Sequence, residues 1–134
     1  MAVSNALNPT FDTVTTAVQT LSPDAVSGAV IRPGVDKVRL AANTNDVNDW
    51  TVLPSLASVP SGHKITIIAG AANSELRTPA ASNEKINGED SDGTKEALLT
   101  ATNVYTVTKI DNTIGWMLEG RTAIGAYQTA IVPD

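Results

Sequence analysis

Hydrophobic and polar residues alternate along this chain in short stretches, most of them closed by Pro, Gly, Asn or Asp. An alternation of period two marks strands with one face in a core and the other in water. Val35 to Ala41 is the clearest case, predicting Val38 and Leu40 inward and Lys37 and Arg39 outward. Further strands are predicted at Thr51 to Leu53, Lys64 to Ile68, Val104 to Ile110, Ile114 to Leu118 and Gln128 to Val132. A very short strand is predicted at Leu76 to Pro79. Thr13 to Leu21 is a first strand of imperfect alternation, with Val14, Val18 and two threonines on one face. Around Glu96-Ala97-Leu98-Leu99 the residue types instead predict one or two helical turns.

The punctuation between these stretches has a mechanism. Pro33-Gly34 and Pro60-Ser61-Gly62 suit turns that set a negative φ and then need a positive one. Asn87-Gly88 is the strongest hairpin dipeptide, because a type I′ turn needs positive φ at both centres. Asp111-Asn112-Thr113 is expected to join two strands as a second hairpin, and Asn43 to Asp49 is a polar loop. Turn signals every 8–12 residues are typical of sandwiches and barrels. The expected architecture is therefore all-β, a small antiparallel β-sandwich or barrel covering residues 13–134. Residues 1–12 show no period and contain Asn8-Pro9, and they read as an extended N-terminal arm with Phe11 as its one large anchor.

Composition sharpens this picture. Counting 17 Thr, 13 Val and 9 Ile makes the chain rich in side chains that suit a pleated surface. At 134 residues it is one domain by size. Only five aromatic residues are present, so Ala and the β-branched set must fill most of the interior. A thin core of that kind is short of hydrophobic free energy, and burial at a subunit interface is expected to supply the difference. There are no cysteines, which excludes disulfides and thiolate chemistry. The net charge is −5 and the nine cations are scattered, so neither a phosphate backbone nor any other nucleic-acid partner is expected. No run approaches the length of a membrane-spanning helix, and Met1 to Asn5 lacks the basic and apolar regions of a secretory signal, so no membrane association is expected.

Candidate chemistry is sparse. His63, in Ser61-Gly62-His63, is the single histidine, and its surroundings specify neither a nucleophile nor an orienting carboxylate. Asp90-Ser91-Asp92-Gly93 matches part of a calcium loop, but the alignment puts Gly88 and Leu99 where carboxylates are required. Residues 84–96 hold five acids against Lys85 and Lys95, a local −3 that reads as a solvated loop. Trp50, Tyr105, Trp116 and Tyr127 would bind sugar rings if they shared an exposed face, whereas Tyr105 and Trp116 sit inside predicted strands and are expected in the core. No catalytic residue, metal ligand or cofactor site is expected, and the chain is not expected to be an enzyme.

From Trp50 to Met117 the chain resembles a β domain recurrent in the virion proteins of tailed bacteriophages. The resembling elements are Val52-Leu53-Pro54, the turn Pro60-Ser61-Gly62 before an Ile/Thr strand, Ile86-Asn87-Gly88, Val104 to Val107, and Trp116-Met117-Leu118. The segment Ala69 to Lys85 departs from that pattern as a long insert. Such domains occur in capsid decoration (cement) proteins and in trimeric fibre or spike segments. The resemblance implies a jelly-roll or β-tulip-like fold and a homotrimer bound to the major capsid protein. That places it on the outer capsid surface of the virion, after synthesis in the host cytoplasm. An acidic, Thr/Ala-rich domain with an arm looks more like a decoration protein, with Asn8, Pro9 and Phe11 as expected contacts to the capsid or a neighbouring trimer. A short trimeric tail fibre, or a receptor- or glycan-binding module, is the alternative.

Overall fold

In a computed structural model, the structure describes residues 18–41, 48–93 and 95–121. The arm, with Asn8, Pro9 and Phe11, lies outside those residues, as do Thr13 to Ala17, Tyr127 and the predicted strand Gln128 to Val132.

The strands are β1 (Gln19–Leu21), β2 (Ala29–Val30), β3 (Lys37–Leu40), β4 (Trp50–Val52), β5 (Lys64–Ile68), β6 (Ser74–Arg77), β7 (Lys85–Ile86), β8 (Glu89–Asp90), β9 (Ala97–Leu99), β10 (Val104–Asp111) and β11 (Gly115–Arg121). One 3-10 turn, Leu56–Ser58, is the helical element among the described residues. The fold is all-β, as the alternation predicts. Seven strands form one sheet in the order β1-β3-β5-β10-β11-β7-β8, and four form a second in the order β9-β6-β4-β2.

The expectation of an antiparallel domain is corrected. β1 to β6 alternate between the two sheets, so each strand lies parallel to the one two before it. Gln19 faces Val38, Lys37 faces Thr66, Ala29 faces Thr51, and Trp50 faces Glu75. Parallel neighbours need a crossover, and here the opposite sheet provides it. Antiparallel pairing enters only later, where β10 joins β5 and β11, β9 joins β6, and β8 joins β7. Residue alternation reports which face is buried and carries no information on strand direction.

The core lies between the sheets. Ile31, Leu53, Ile65, Ile67, Leu76, Ile86, Leu99, Tyr105, Val107 and Trp116 are all 0% exposed. Val38 and Leu40 point inward and Lys37 and Arg39 outward, as predicted. The predicted turns are also present. Val35 N–H donates to Arg32 O with Gly34 at φ 87°, and His63 N–H donates to Pro60 O with Gly62 at φ 88°. Asn87 and Gly88 have φ of 53° and 83° and close the β7–β8 hairpin, whose turn docks on β11. There Asn87 N–H donates to Trp116 O, and Leu118 N–H donates to the Asn87 Oδ1.

The helical turns predicted around Glu96 to Leu99 are absent, and that segment is strand β9. Ala97 and Leu99 are buried and Leu98 is exposed, in register with Leu76, Ser74 and Glu75 of β6. An isolated helical turn fixes several torsions for few hydrogen bonds, whereas pairing with β6 satisfies the backbone and buries two side chains at once. On β1 the inward positions are Gln19 and Leu21, while Thr20 points outward and Val18 is 51% exposed. Gln19 is 8% exposed and ties the sheets together. Its Nε2 donates to Val30 O and its Oε1 accepts from Arg32 N–H.

The β10–β11 connection is organised by Asp111, whose Oδ1 accepts from Thr113 N–H and Ile114 N–H at 2.7 Å each. The Ile114 bond, followed by the Thr113 bond, lowers the Asp111 pKa from the ordinary aspartate value. A depressed pKa contributes stability above the unfolded-state value, and the contribution disappears as pH falls through the folded one. An NMR titration should therefore show the Asp111 carboxylate titrating below an ordinary aspartate, with the Thr113 and Ile114 amides shifting at the same midpoint. A normal midpoint, or amides that do not follow it, would remove this account of the turn.

Candidate functional site

The side chains with reactive chemistry are occupied in holding loops. His63 is half-buried and its Nε2 lies 3.3 Å from Val35 O, linking the turn before β5 to the loop before β3. Lys109 Nζ donates to the carbonyls of Leu56 and Val59, and the Glu84 carboxylate accepts from Leu56 N–H, so both ends of the 3-10 turn are clamped. Among the described residues, no group of three or more His, Asp or Glu side chains converges as a metal site.

The acidic stretch is more structured than a solvated loop. Asp92 Oδ2 accepts from Asn83 N–H, Glu89 pairs with Lys95 at 3.0 Å, and Glu96, only 8% exposed, meets Arg77 Nη2 at 3.0 Å. Asp90 Oδ1 lies 3.4 Å from Asp92 N, so the two residues of the partial calcium motif bind backbone N–H groups.

The aromatic side chains do not assemble a sugar platform among the described residues. Tyr105 and Trp116 are fully buried, as expected from their strands. The Trp50 ring is half-buried, with the Arg77 guanidinium 4.3 Å from its centroid. Its indole edge lies against Gly28, at φ 67°, where a Cβ would collide with the ring. Arg77 is itself held by Glu75 Oε2, with Nη2 at 2.7 Å and Nε at 3.1 Å. Glu75 and Arg77 stand two apart on β6 and so share a face, a relation visible in the sequence. The third member, Glu96, stands immediately before β9, and nothing local announces it.

The outer face of the seven-stranded sheet carries mixed polar and apolar side chains among the described residues. On the seven-stranded sheet the cross-strand registers align Arg39, Ile68 and Val104 in one row, and Lys37, Thr66, Thr106 and Glu119 in the next. Lys64, Thr108 and Met117 form the third row. Ile68 is 45% exposed and Met117 38%. Thr66 and Thr106 between them are half-buried, and Thr108 is buried. Two shallow clefts border the sheets. One, of about 360 Å³, lies beside Arg39, Ile68 and Thr102, and one of about 270 Å³ lies between Leu56, Glu84 and Asn112.

Comparison with known proteins finds no matching protein-family model and no similar curated protein.

Proposed function

We propose that this chain is a structural capsid-binding protein. On this reading it is a homotrimer on the outer surface of a phage head, where it contacts the major capsid protein and ties neighbouring capsomers together. The observation that supports the reading is the broad, threonine-lined outer face of the seven-stranded sheet with Ile68 and Met117 exposed on it. The residues that resemble phage virion domains support it in a second way, because they are scaffold positions. Val52-Leu53-Pro54 ends β4, Pro60 to Gly62 turns into β5, Asn87-Gly88 closes β7–β8, and Trp116 to Leu118 runs along β11. The physical logic is linkage, since a ligand that binds only the assembled lattice stabilises it by about 2.7 kcal/mol per site at a hundredfold excess over Kd. Arms on each of three subunits would add avidity through contacts that become intramolecular after the first.

The test is sedimentation of the purified protein with heads and, separately, with tails. Binding to heads with a raised head disruption temperature is expected, and deletion of Met1 to Asp12 should weaken that binding while leaving the fold intact. Binding to tails alone would sink the proposal, and equal head binding by the truncated chain would remove the arm from it.

A further inference from the structure

The two lateral edges of the sandwich differ in charge. Among the described residues, the outermost strands on one side are β1 and β2, with β3 and β5 next inward in the seven-stranded sheet. There the exposed cations Arg32, Lys37, Arg39 and Lys64 stand against Asp24 and Asp36, a net +2 on a chain whose total is −5. On the other side the outermost strands are β8 and β9. Residues 84–96, which supply β7, β8 and the approach to β9, hold five carboxylates against Lys85 and Lys95, a net −3.

Each edge also exposes apolar surface. Val18, Val26 and Val30 are 51%, 89% and 57% exposed on the β1/β2 side, and Leu98 of β9 is 43% exposed on the other. Edge strands with exposed apolar residues pair readily with another chain unless like charges oppose it. Between these two edges the charges are opposite, so they favour contact instead.

We propose that copies of this chain associate head to tail, the basic β1/β2 edge of one docking on the acidic β8/β9 edge of the next. The inference rests on the homo-oligomer reading above and names its interface. A head-to-tail contact is heterologous, and it ends in a ring when the rotation closes. Two copies meeting through the same edge would set like charges against each other, so the arrangement disfavours a twofold dimer through either edge. Complementary charge would also speed and orient the encounter, in a salt-dependent way.

The experiment is mass determination by light scattering on the full chain without capsids, over a range of concentration and salt. The wild type is expected to self-associate, more weakly as salt rises. K37E/R39E turns the basic edge acidic and E89K/D90K turns the acidic edge basic, and each alone should weaken association by at least about tenfold. All four changes in one chain should restore it. Should E89K/D90K fail to fold because Lys95 loses Glu89, E89Q/D90N serves in its place and is expected to weaken association in the same direction.

A wild type that stays monomeric at tens of micromolar overturns the inference, as does association indifferent to these changes or not restored by combining them. Head sedimentation is a separate readout. A monomer that binds heads would leave capsid binding standing and remove this interface, and a trimer indifferent to charge reversal would keep the trimer and place its contact elsewhere.

Discussion

Replacing Trp116 by alanine is expected to remove a large share of the stability of this fold. The loss should be about 3–5 kcal/mol, the usual range for deleting a large buried aromatic, against a total of roughly 5–15 kcal/mol for an ordinary domain. Trp116 is fully buried on β11, beside Ile86 of β7 and Lys109 of β10. Among the described residues it is the larger of the two aromatic side chains fully buried in a core otherwise built of aliphatic residues. Those neighbours are pinned in paired strands on both sides, so they cannot collapse into the space. Phenylalanine at the same position should cost less, about 1–2 kcal/mol. It fills part of the volume and removes an indole N–H that has no protein partner. Urea unfolding followed by far-UV circular dichroism measures both. A midpoint for W116A within about 1 kcal/mol of wild type, the range of an ordinary substitution, would show that the core is not organised around this ring.

Gly115→Ala should be nearly as severe and much more local. Gly115 has φ 77°, and a Cβ there would press into the backbone carbonyl of Lys85 on the adjoining strand β7. The left-handed conformation costs a non-glycine residue roughly 1–2 kcal/mol, and forcing backbone apart typically adds about 1–3 kcal/mol. Because β7 pairs with β11 in the single register pair Trp116 and Ile86, the collision falls at the seam where the β7–β8 hairpin docks. Hydrogen exchange should then accelerate at Asn87 and Gly88, whose amides donate to Trp116 O and Ile114 O, and at Leu118, whose amide donates to Asn87 Oδ1. Amides of β3 and β5 should keep most of their protection. Uniform acceleration across both sheets would contradict the assignment of this glycine to a local docking role.

Some of this was legible in the residues. Pro33-Gly34, Pro60-Ser61-Gly62 and Asn87-Gly88 form the turns their chemistry demands, because positive φ is a property of one or two residues. The alternation in Lys37 to Leu40 assigned inner and outer faces correctly, and so did the strand positions of Tyr105 and Trp116. The misreading at Ala97 to Leu99 has an equally local origin. Ala and Leu favour helices in isolation, and only the backbone of β6 alongside makes a strand the better use of them. The pattern of Thr13 to Leu21 puts Val14 and Val18 on one face, while the side chain that joins the sheets is Gln19, whose partners are Val30 and Arg32.

The expected capsid contacts Asn8, Pro9 and Phe11 lie outside the described residues, and the surfaces proposed above are those of the sheets. Their chemistry is written in the sequence only as separate residues. Lys37 and Arg39 were visible as outward cations, and the acids of 84–96 as a charged run. That the cations stand on β3, towards one end of the strand order, and the acids around β7 and β8, at the other, depends on the strand order.

What the sequence determined by itself is the class of the fold, the sites of its turns and which side of each clear strand is wet. These follow from φ/ψ preferences and from alternation, both of which act within a few residues. The tertiary structure alone decided the strand directions, the two-sheet winding of β1 to β6 and the clamps made by Gln19, Glu84 and Lys109. It also decided the separation of positive and negative edges. Each of these depends on which distant segments meet, and local chemistry leaves that choice to the packing of the whole core.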